Sequence, residues 1–343
     1  MAVNIANALV PHVEGTYLCC TRQEGMLKDE IKPEVGYLYL DKKSRLDPKA
    51  ILRLRKYIIE NKIDIVHAHS TSFFLAGLLK LTGSNFKLIW HDHYGESENL
   101  GDREYKVLKK FSRLFWGIVS VNTDLKNWAE NNLNCKNVIE MKNFIPEPDP
   151  NAKAKIYLEG GKDDFKIICV ANLRPQKDLL NLLKAFDMLD KELQVSLHLI
   201  GENPGTEYST SVLKAIEDSP VKHKIFYYGV QLEILPLLKQ ADVGVLASRS
   251  EGLPLVLLEY GMAGLPVITT RVGKCAELVK TNGQIVSPGI PEELKNALIY
   301  YLENHTKRLG VAVSFQKDIE KEFSQKSVIR TIVDFYESFG SNK

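Results

Sequence analysis

The sequence predicts an α/β protein with parallel sheets in two domains. Three observations carry that expectation. Short apolar runs alternate with segments of helical periodicity along most of the chain, the pattern of strand–helix–strand crossovers. The length of 343 residues fits two domains of roughly 150 residues each. A proline cluster near the middle, Pro146, Pro148 and Pro150, marks the linker between them.

Composition excludes several function classes. Hydrophobic residues make up 44% and charged residues 26%, ordinary for a soluble globular chain with a sizeable core. A net charge of +2 does not fit a nucleic-acid binder, so any basic patch must be local. The cysteines Cys19, Cys20, Cys135, Cys169 and Cys275 lack metal-ligand spacing, and an odd, scattered set suits a reducing cytosol. No apolar run reaches the roughly 18 residues that span a bilayer. Met1 to Val10 lacks the basic start and cleavage site of a signal peptide. A cytoplasmic protein is expected.

In chain order, Ala2 to Leu9 is a helix by its apolar spacing. Tyr17 to Cys20 and Val35 to Leu40 read as strands. Pro48 to Asn61 is a helix, with Ile51, Leu52, Leu54, Tyr57 and Ile58 on its buried side. Ile63 to Ser70 is a buried strand containing His67 and His69. Phe73 to Leu81 is a helix, and Lys87 to Trp90 is a strand leading into His91-Asp92-His93-Tyr94-Gly95. Ligands collect beyond the carboxyl ends of parallel strands, so both histidine-bearing ends are candidate sites. His67 and His69 offer no third ligand spaced for zinc. No metal is therefore expected, and His67 is read as a core histidine satisfied by backbone.

Arg103 to Trp116 has Val107, Leu108, Phe111, Leu114 and Phe115 at helical spacing, with five cations against Glu104 alone. Such a helix can lie on an anionic bilayer, or pack its apolar face on the N-terminal sheet, or do both. Gly117 to Val121 is a strand, Thr123 or Asp124 caps a helix to about Asn132, and Val138 to Asn143 is a strand. Beyond the linker come a strand (Phe165 to Ala171), the turn Asn172 to Asp178, and a helix (Leu179 to Leu189). Val195 to Ile200 and Ile225 to Val230 are strands, the second leading into a helix from Leu232 to Gln240.

The apolar run Val243 to Ala247 stops in Ser248-Arg249-Ser250-Glu251-Gly252-Leu253-Pro254, as a buried strand feeding a loop would. Pro254 suits the first turn of the following helix, where its missing N–H costs nothing. Glu259 falls inside that helix among Leu and Val, so its carboxylate must find a partner or face a cleft. Free N–H groups at a helix start favour a phosphate. Two acids beside an anion site point to a sugar and a diphosphate held together. Val267 to Thr270 is the next strand, and Glu292 to Leu302 and Ile329 to Phe339 are C-terminal helices.

The seven residues between Glu251 and Glu259 resemble the retaining glycosyltransferases of family 4, as does the frame around them. That frame is Ala241-Asp242-Val243 upstream, Glu-Gly-Leu-Pro within, and Ala263-Gly264-Leu265-Pro266-Val267-Ile268 downstream. The resemblance implies the GT-B fold: two Rossmann-like doubly wound domains facing a central cleft. Residues 1–147 would be the acceptor-side domain and 148–325 the nucleotide-sugar domain, with 326–343 a helix crossing back to the first. It implies that Glu259 holds the ribose and that Glu251 contacts the transferred sugar. Ser250, Gly252, Leu253 and Pro254 would frame the donor, and the backbone near Gly229 and Val230 would receive the base. Lys177 keeps the place of the family's diphosphate-gripping lysine. Ala171 and Asn172 stand where the family has Gly-Arg, and Arg174 is the substitute cation. A histidine of the His91-Asp92-His93 turn would sit near the sugar, His91 being favoured; His93 and His69 would lie on the acceptor side.

Family members open with a strand and Gly-rich turn that are absent here. Either the start is truncated or the first sheet is completed differently. The implied reaction is hexosyl transfer to an envelope polysaccharide or lipid-linked glycan, without a cofactor or metal. The enzyme would be cytoplasmic, and peripheral on the inner face of the plasma membrane if the basic helix touches lipid. A non-catalytic nucleotide-sugar-binding subunit and a GT-B epimerase are the alternatives.

Overall fold

The computed structural model describes residues 1–94, 100–101, 103–147, 156–231 and 233–338. Of the segments named above, Gly95, Pro148, Asp149, Pro150, Leu232 and Phe339 lie outside the described residues. The chain forms two compact units, Met1–Pro146 with the segment from Gln325 onward, and Glu147–Ser324.

In the first unit, α1 (Ala2–Leu9) precedes a parallel pair, β1 (Tyr17–Cys20) and β2 (Gly36–Tyr39). Then follow α2 (Pro48–Glu60), β3 (Ile65–His69), α3 (Phe73–Leu81), β4 (Lys87–Asp92), α4 (Lys106–Phe111), β5 (Gly117–Ser120), α5 (Thr123–Asn132) and β6 (Val138–Glu140). Strands β3 to β6 form one parallel sheet in sequence order. Among the described residues no strand joins β1–β2 to this sheet.

Two apolar faces sandwich the four-stranded sheet. Leu88, Trp90 and Ile118 pack with Leu75, Leu79 and Trp128 on one side. Ile89 and Val119 pack on the other with Ile5 and Leu9 of α1. Ile329, Ile332 and Phe335 of the last helix, Gln325–Glu337, complete that second cluster. Gly117 is what lets this helix approach, since a Cβ there would come within 2.4 Å of the Phe335 ring. Several expectations for this unit's elements change. Leu52 is exposed rather than buried. Helix α5 is capped by Asn122, whose side chain accepts from Leu125 N. Strand β4 runs on through His91 and Asp92.

In the second unit, β7 (Phe165–Val170), α6 (Leu179–Asp187), β8 (Val195–Ile200), α7 (Glu207–Asp218) and β9 (Ile225–Tyr227) come first. They are followed by α8 (Leu235–Leu238), β10 (Val243–Leu246), α9 (Leu255–Met262), β11 (Val267–Thr270), α10 (Cys275–Val279) and β12 (Gly283–Val286). The parallel sheet has the order β12-β11-β10-β7-β8-β9. Chain progression therefore reverses between β7 and β10, which are neighbours. Such a switch point opens a crevice at the carboxyl ends of its two strands. Helix α11 (Pro291–Glu303) packs on α6.

Helix α12 (His305–Phe323) is absent from the expectations, although Ala312, Phe315, Ile319 and Phe323 recur at helical spacing and are buried. Arg308, at its start, reaches Asp242 at 3.3 Å, and Asp242 also accepts from Lys166 N. Asp242 of the upstream frame is thus a structural tie. Pro254 is the N-cap of α9, one place before the helix proper; its fixed φ and missing N–H suit that place too.

Candidate active site

Lys177 and Glu251 meet at the switch point. Lys177 lies in the loop after β7 and Glu251 in the loop after β10, and Lys177 Nζ is 2.5 Å from Glu251 Oε1. The same oxygen accepts from Ser248 Oγ at 2.6 Å. Three hydrogen bonds to backbone carbonyls hold this arrangement. Arg249 N donates to Gln176 O, joining the two loops. Lys274 N donates to Gly252 O, and Thr270 Oγ1 donates to Ser248 O. Gly273 makes the approach of the third loop feasible. Its φ is +46°, and a Cβ there would lie 1.9 Å from Glu251 O, which no L side chain could occupy.

Asp178 and Arg249 form a second bridge between the same loops. Arg249 Nε donates to Asp178 Oδ2 at 2.7 Å; the acid is buried and the Arg largely exposed. Asp178 takes a left-handed conformation, φ +46°, where the loop turns into α6. Asp and Asn tolerate that region best among non-glycines.

Glu259 sits on α9 beside Tyr260, which is fully buried. Tyr260 donates to Val245 O and accepts from Val170 N, pinning α9 across β7 and β10. Gly244 leaves room for its ring. Burial pushes the Glu259 carboxyl above its ordinary pKa. Among the described residues no hydrogen bond or ion pair reaches that carboxylate. A desolvated acid without a partner is costly to keep and is a common mark of a ligand site.

Arg174 is placed differently. It is more than half exposed and lies 3.5 Å from Glu202, whose backbone N–H donates to Asn172 Oδ1. At Gly201 a Cβ would come within 2.1 Å of Ala171 O, so the β7 and β8 ends are closely apposed. Gly229, at φ +64°, accepts from Gly201 N, and Val230 is exposed beside it. Ser250 is exposed, Gly252 and Leu253 are partly buried, and Pro254 is buried.

In the first unit, four histidines gather at the ends of β3 and β4. The register pairs His69 with His91. His67 Nε2 is 3.1 Å from His91 Nδ1, and His69 Nδ1 is 2.9 Å from His93 Nε2. Tyr336 of the last helix, α13 (Gln325–Glu337), puts its hydroxyl 2.6 Å from His67 Nδ1. Burial pushes His67 down to about 3 and His93 to about 4. It also holds His69 and His91 well below the usual range, so the rings are neutral near pH 7. His91 is fully buried, and among the described residues its Nε2 has no partner. The expectation that backbone satisfies His67 is corrected: its partners are Tyr336 and His91.

Arg103 also departs from expectation. Helix α4 covers only Lys106–Phe111, and Arg103 lies before it. Its guanidinium donates to both oxygens of Asp92, at 2.7 and 2.8 Å, and lies 4.1 Å from the Trp128 ring centre. Phe115 and Trp116 belong to the approach to β5, because Trp116 N donates to Leu88 O as the sheet begins. Phe111 packs on α3, where a Cβ at Gly77 would lie 2.2 Å from its ring. Lys106, Lys109, Lys110 and Arg113 remain exposed.

The two halves of the chain match two family models: Glycosyltransferase Family 4 over residues 1–141, and Glycosyl transferases group 1 over residues 164–304. The chain belongs to the group 1, family 4-like glycosyltransferases. Its fold is GT-B, with two Rossmann-like units. The glycosyltransferase of Rickettsia africae ESF-5 matches with TM-score 0.79 and 18% identity, covering 100% of this chain and 94% of that one. Anabaena Alr3699/HepE, solved in complex with UDP-glucose, matches with TM-score 0.77 and 17% identity, covering 98% and 95%. At these identities the structures speak for the fold alone.

Among sequence relatives, the N-acetyl-alpha-D-glucosaminyl L-malate synthase of Bacillus anthracis is 24% identical over 59% of this chain. The match spans about half, 54%, of that protein's length. The UDP-Gal:alpha-D-GlcNAc-diphosphoundecaprenol alpha-1,3-galactosyltransferase of Escherichia coli is 21% identical over 98% of this chain and 92% of its own length.

In this glycosyltransferase the structure joins Lys177 to Glu251 and groups His69, His91 and His93. Arg174 is held apart from the Lys177–Glu251 pair, on Glu202. Sequence reasoning gave no role to Asp178, Ser248, Arg249 or Tyr336, which act through contacts that spacing does not encode. Gly273 was legible, since the run Arg271 to Leu278 resembles the family's Gly…Glu turn.

Proposed function

We propose that this glycosyltransferase moves a hexosyl unit from a uridine diphosphate sugar to a cell-envelope glycan or lipid-linked acceptor, with retention of configuration. The observation that carries the reading is the Lys177–Glu251 pair on the two loops of the switch point. The uridine base and the acceptor class follow two relatives: a UDP-galactose enzyme acting on a diphosphoundecaprenol-linked sugar, and a structure in complex with UDP-glucose.

On this reading Lys177 turns from Glu251 to the donor diphosphate. There it offsets the charge that grows on the leaving group, an effect worth several kcal/mol (~3) where water is excluded. Arg174, on its exposed loop, adds a second cation. Glu251, held by Ser248, accepts from the sugar hydroxyls, and Glu259 accepts from the ribose. Gly229 and Val230 line the base. His91 orients the sugar, with His93 and His69 toward the acceptor. The acceptor oxygen attacks the anomeric carbon from the face the diphosphate leaves. The acceptor proton passes to a diphosphate oxygen, so no carboxylate pair at glycosidase spacing is needed.

Calorimetry with UDP, GDP and ADP, followed by release of nucleotide from the UDP-sugar, tests the proposal. Tight binding of UDP alone, lost in Glu259→Ala, and sugar transfer to a lipid-linked acceptor are expected. Binding without hydrolysis or transfer would make the chain a binding subunit. No nucleotide binding by a cooperatively melting chain would overturn the donor site itself.

A further inference from the structure

The histidine cluster of the first unit has the chemistry of a metal site. From the spacing of His67 and His69 alone, no third ligand is visible. The parallel register supplies one, because β4 places His91 directly beside His69. One ring nitrogen from each of His67, His69 and His91 lies within 4.8 Å of the others. In a tetrahedral site with metal–nitrogen bonds of about 2.0–2.1 Å, neighbouring ligand nitrogens are about 3.3 Å apart. His67 Nε2 and His91 Nδ1, at 3.1 Å, already have that separation. The His69 ring nitrogen lies within 4.8 Å of both.

Further features fit a cation rather than a packed aromatic cluster. Metal-ligating histidines are usually oriented by a hydrogen bond at their other nitrogen. The Tyr336 hydroxyl stands at 2.6 Å from His67 Nδ1 in that role, leaving Nε2 for the ion. His93, 2.9 Å from His69 Nδ1, can orient His69 or serve as a fourth ligand. His67, His69 and His93 are only partly buried, which leaves an entry path.

We propose that His67, His69 and His91 bind one divalent transition-metal ion of the zinc class, with Tyr336 as the outer partner that orients His67. An all-imidazole set suits Zn²⁺, Co²⁺, Ni²⁺ or Cu²⁺ and not the hard cations Mg²⁺ or Ca²⁺. The inference stands apart from the transfer reaction, since binding is read without a sugar donor. It does imply a consequence for that reaction: an ion on His91 removes the imidazole assigned to the sugar, so loading inhibits.

The test is titration of the chelator-stripped full chain with Zn²⁺ by calorimetry, and with Co²⁺ by visible absorption. One ion per chain and an intense tetrahedral Co²⁺ band are expected. His67→Gln, His69→Gln and His91→Gln should each weaken binding at least tenfold, and Tyr336→Phe by about tenfold. A His12, His223 and His305 triple Gln variant, removing exposed histidines, should bind like the parent. Melts of each variant report folding. If the fully buried His91 variant does not fold, the partly exposed His69 variant and Tyr336→Phe carry the comparison. No stoichiometric binding by the parent chain would overturn the proposal. Affinity unchanged in the His67 and His69 variants, or lost in the exposed-histidine variant, would do the same.

Discussion

The Lys177 ammonium lies 2.5 Å from Glu251 Oε1, across the boundary where the second sheet reverses direction. The Glu251 side chain is only 9% exposed and that of Lys177 27%, so the pair is partly shielded from water and the acid depends on its cation. Lys177→Ala leaves Glu251 with the Ser248 hydroxyl alone. A loss of about 1–3 kcal/mol in urea unfolding is expected, with a fall in kcat of about a hundred- to thousandfold. Lys177→Arg should recover the stability and only part of the rate, because a planar guanidinium does not match an ammonium point for point. Equal rates for Lys177→Ala and the parent would remove Lys177 from the reaction.

Glu259 links the site to pH. Burial raises its carboxyl pKa in the folded protein, so the fold holds the proton to higher pH than the unfolded chain. Ionising Glu259 therefore costs stability, and stability falls as pH rises through the folded value. Glu259→Gln removes this penalty. The variant should be more stable than the parent by about 1 kcal/mol at pH 8, with the difference shrinking toward pH 4. Donor KM should rise at the same time. A variant less stable at pH 8 would mean that the carboxylate makes a favourable contact in the folded state.

Arg103 clamps the strand end that carries His91. Its bidentate contact with Asp92 is almost wholly buried. Removing one member leaves an uncompensated charge, so Arg103→Ala should destabilise by about 3–5 kcal/mol. Adding Asp92→Asn should cost much less than the sum of the two single changes. Thermal melts of the four proteins read this directly, and additivity would show that the two groups do not depend on each other.

The exposed cations Lys106, Lys109, Lys110 and Arg113 are what remains of the basic-helix expectation. No helix among the described residues is long and apolar enough to cross a membrane. Peripheral contact would rest on these four side chains, each adding about 1 kcal/mol at an anionic surface. Charge reversal at Lys106, Lys109 and Lys110 should release the protein from phosphatidylserine vesicles in a sedimentation assay. Retention of the variant would end the membrane reading.

Elements with strong local signals were legible. Apolar periodicity located α1, α3, β8 and β11 to the residue, because each has one buried face or two and clear polar ends. The Glu251–Glu259 frame was legible because a strand, a loop and a helix start must follow one another at fixed spacing to present two acids. Helix α12 was not read, since its polar residues interrupt a thin apolar stripe. Arg103 was misread because helical spacing cannot tell a surface cation from one drawn back onto a buried acid eleven residues earlier.

The amino-acid order by itself determined the alternation of strands and helices, the parallel sheets that follow from it, and the residue types at each strand end. Those are consequences of local periodicity and chain direction. Only the tertiary structure decided who meets whom. Sheet order put the Lys177 and Glu251 loops side by side, strand register set His91 against His69, and the last helix delivered Tyr336 to His67. These contacts join residues 22 to 269 positions apart, and what brings them together is burial of the sheets' two apolar faces, a property of the whole unit that no window of sequence contains.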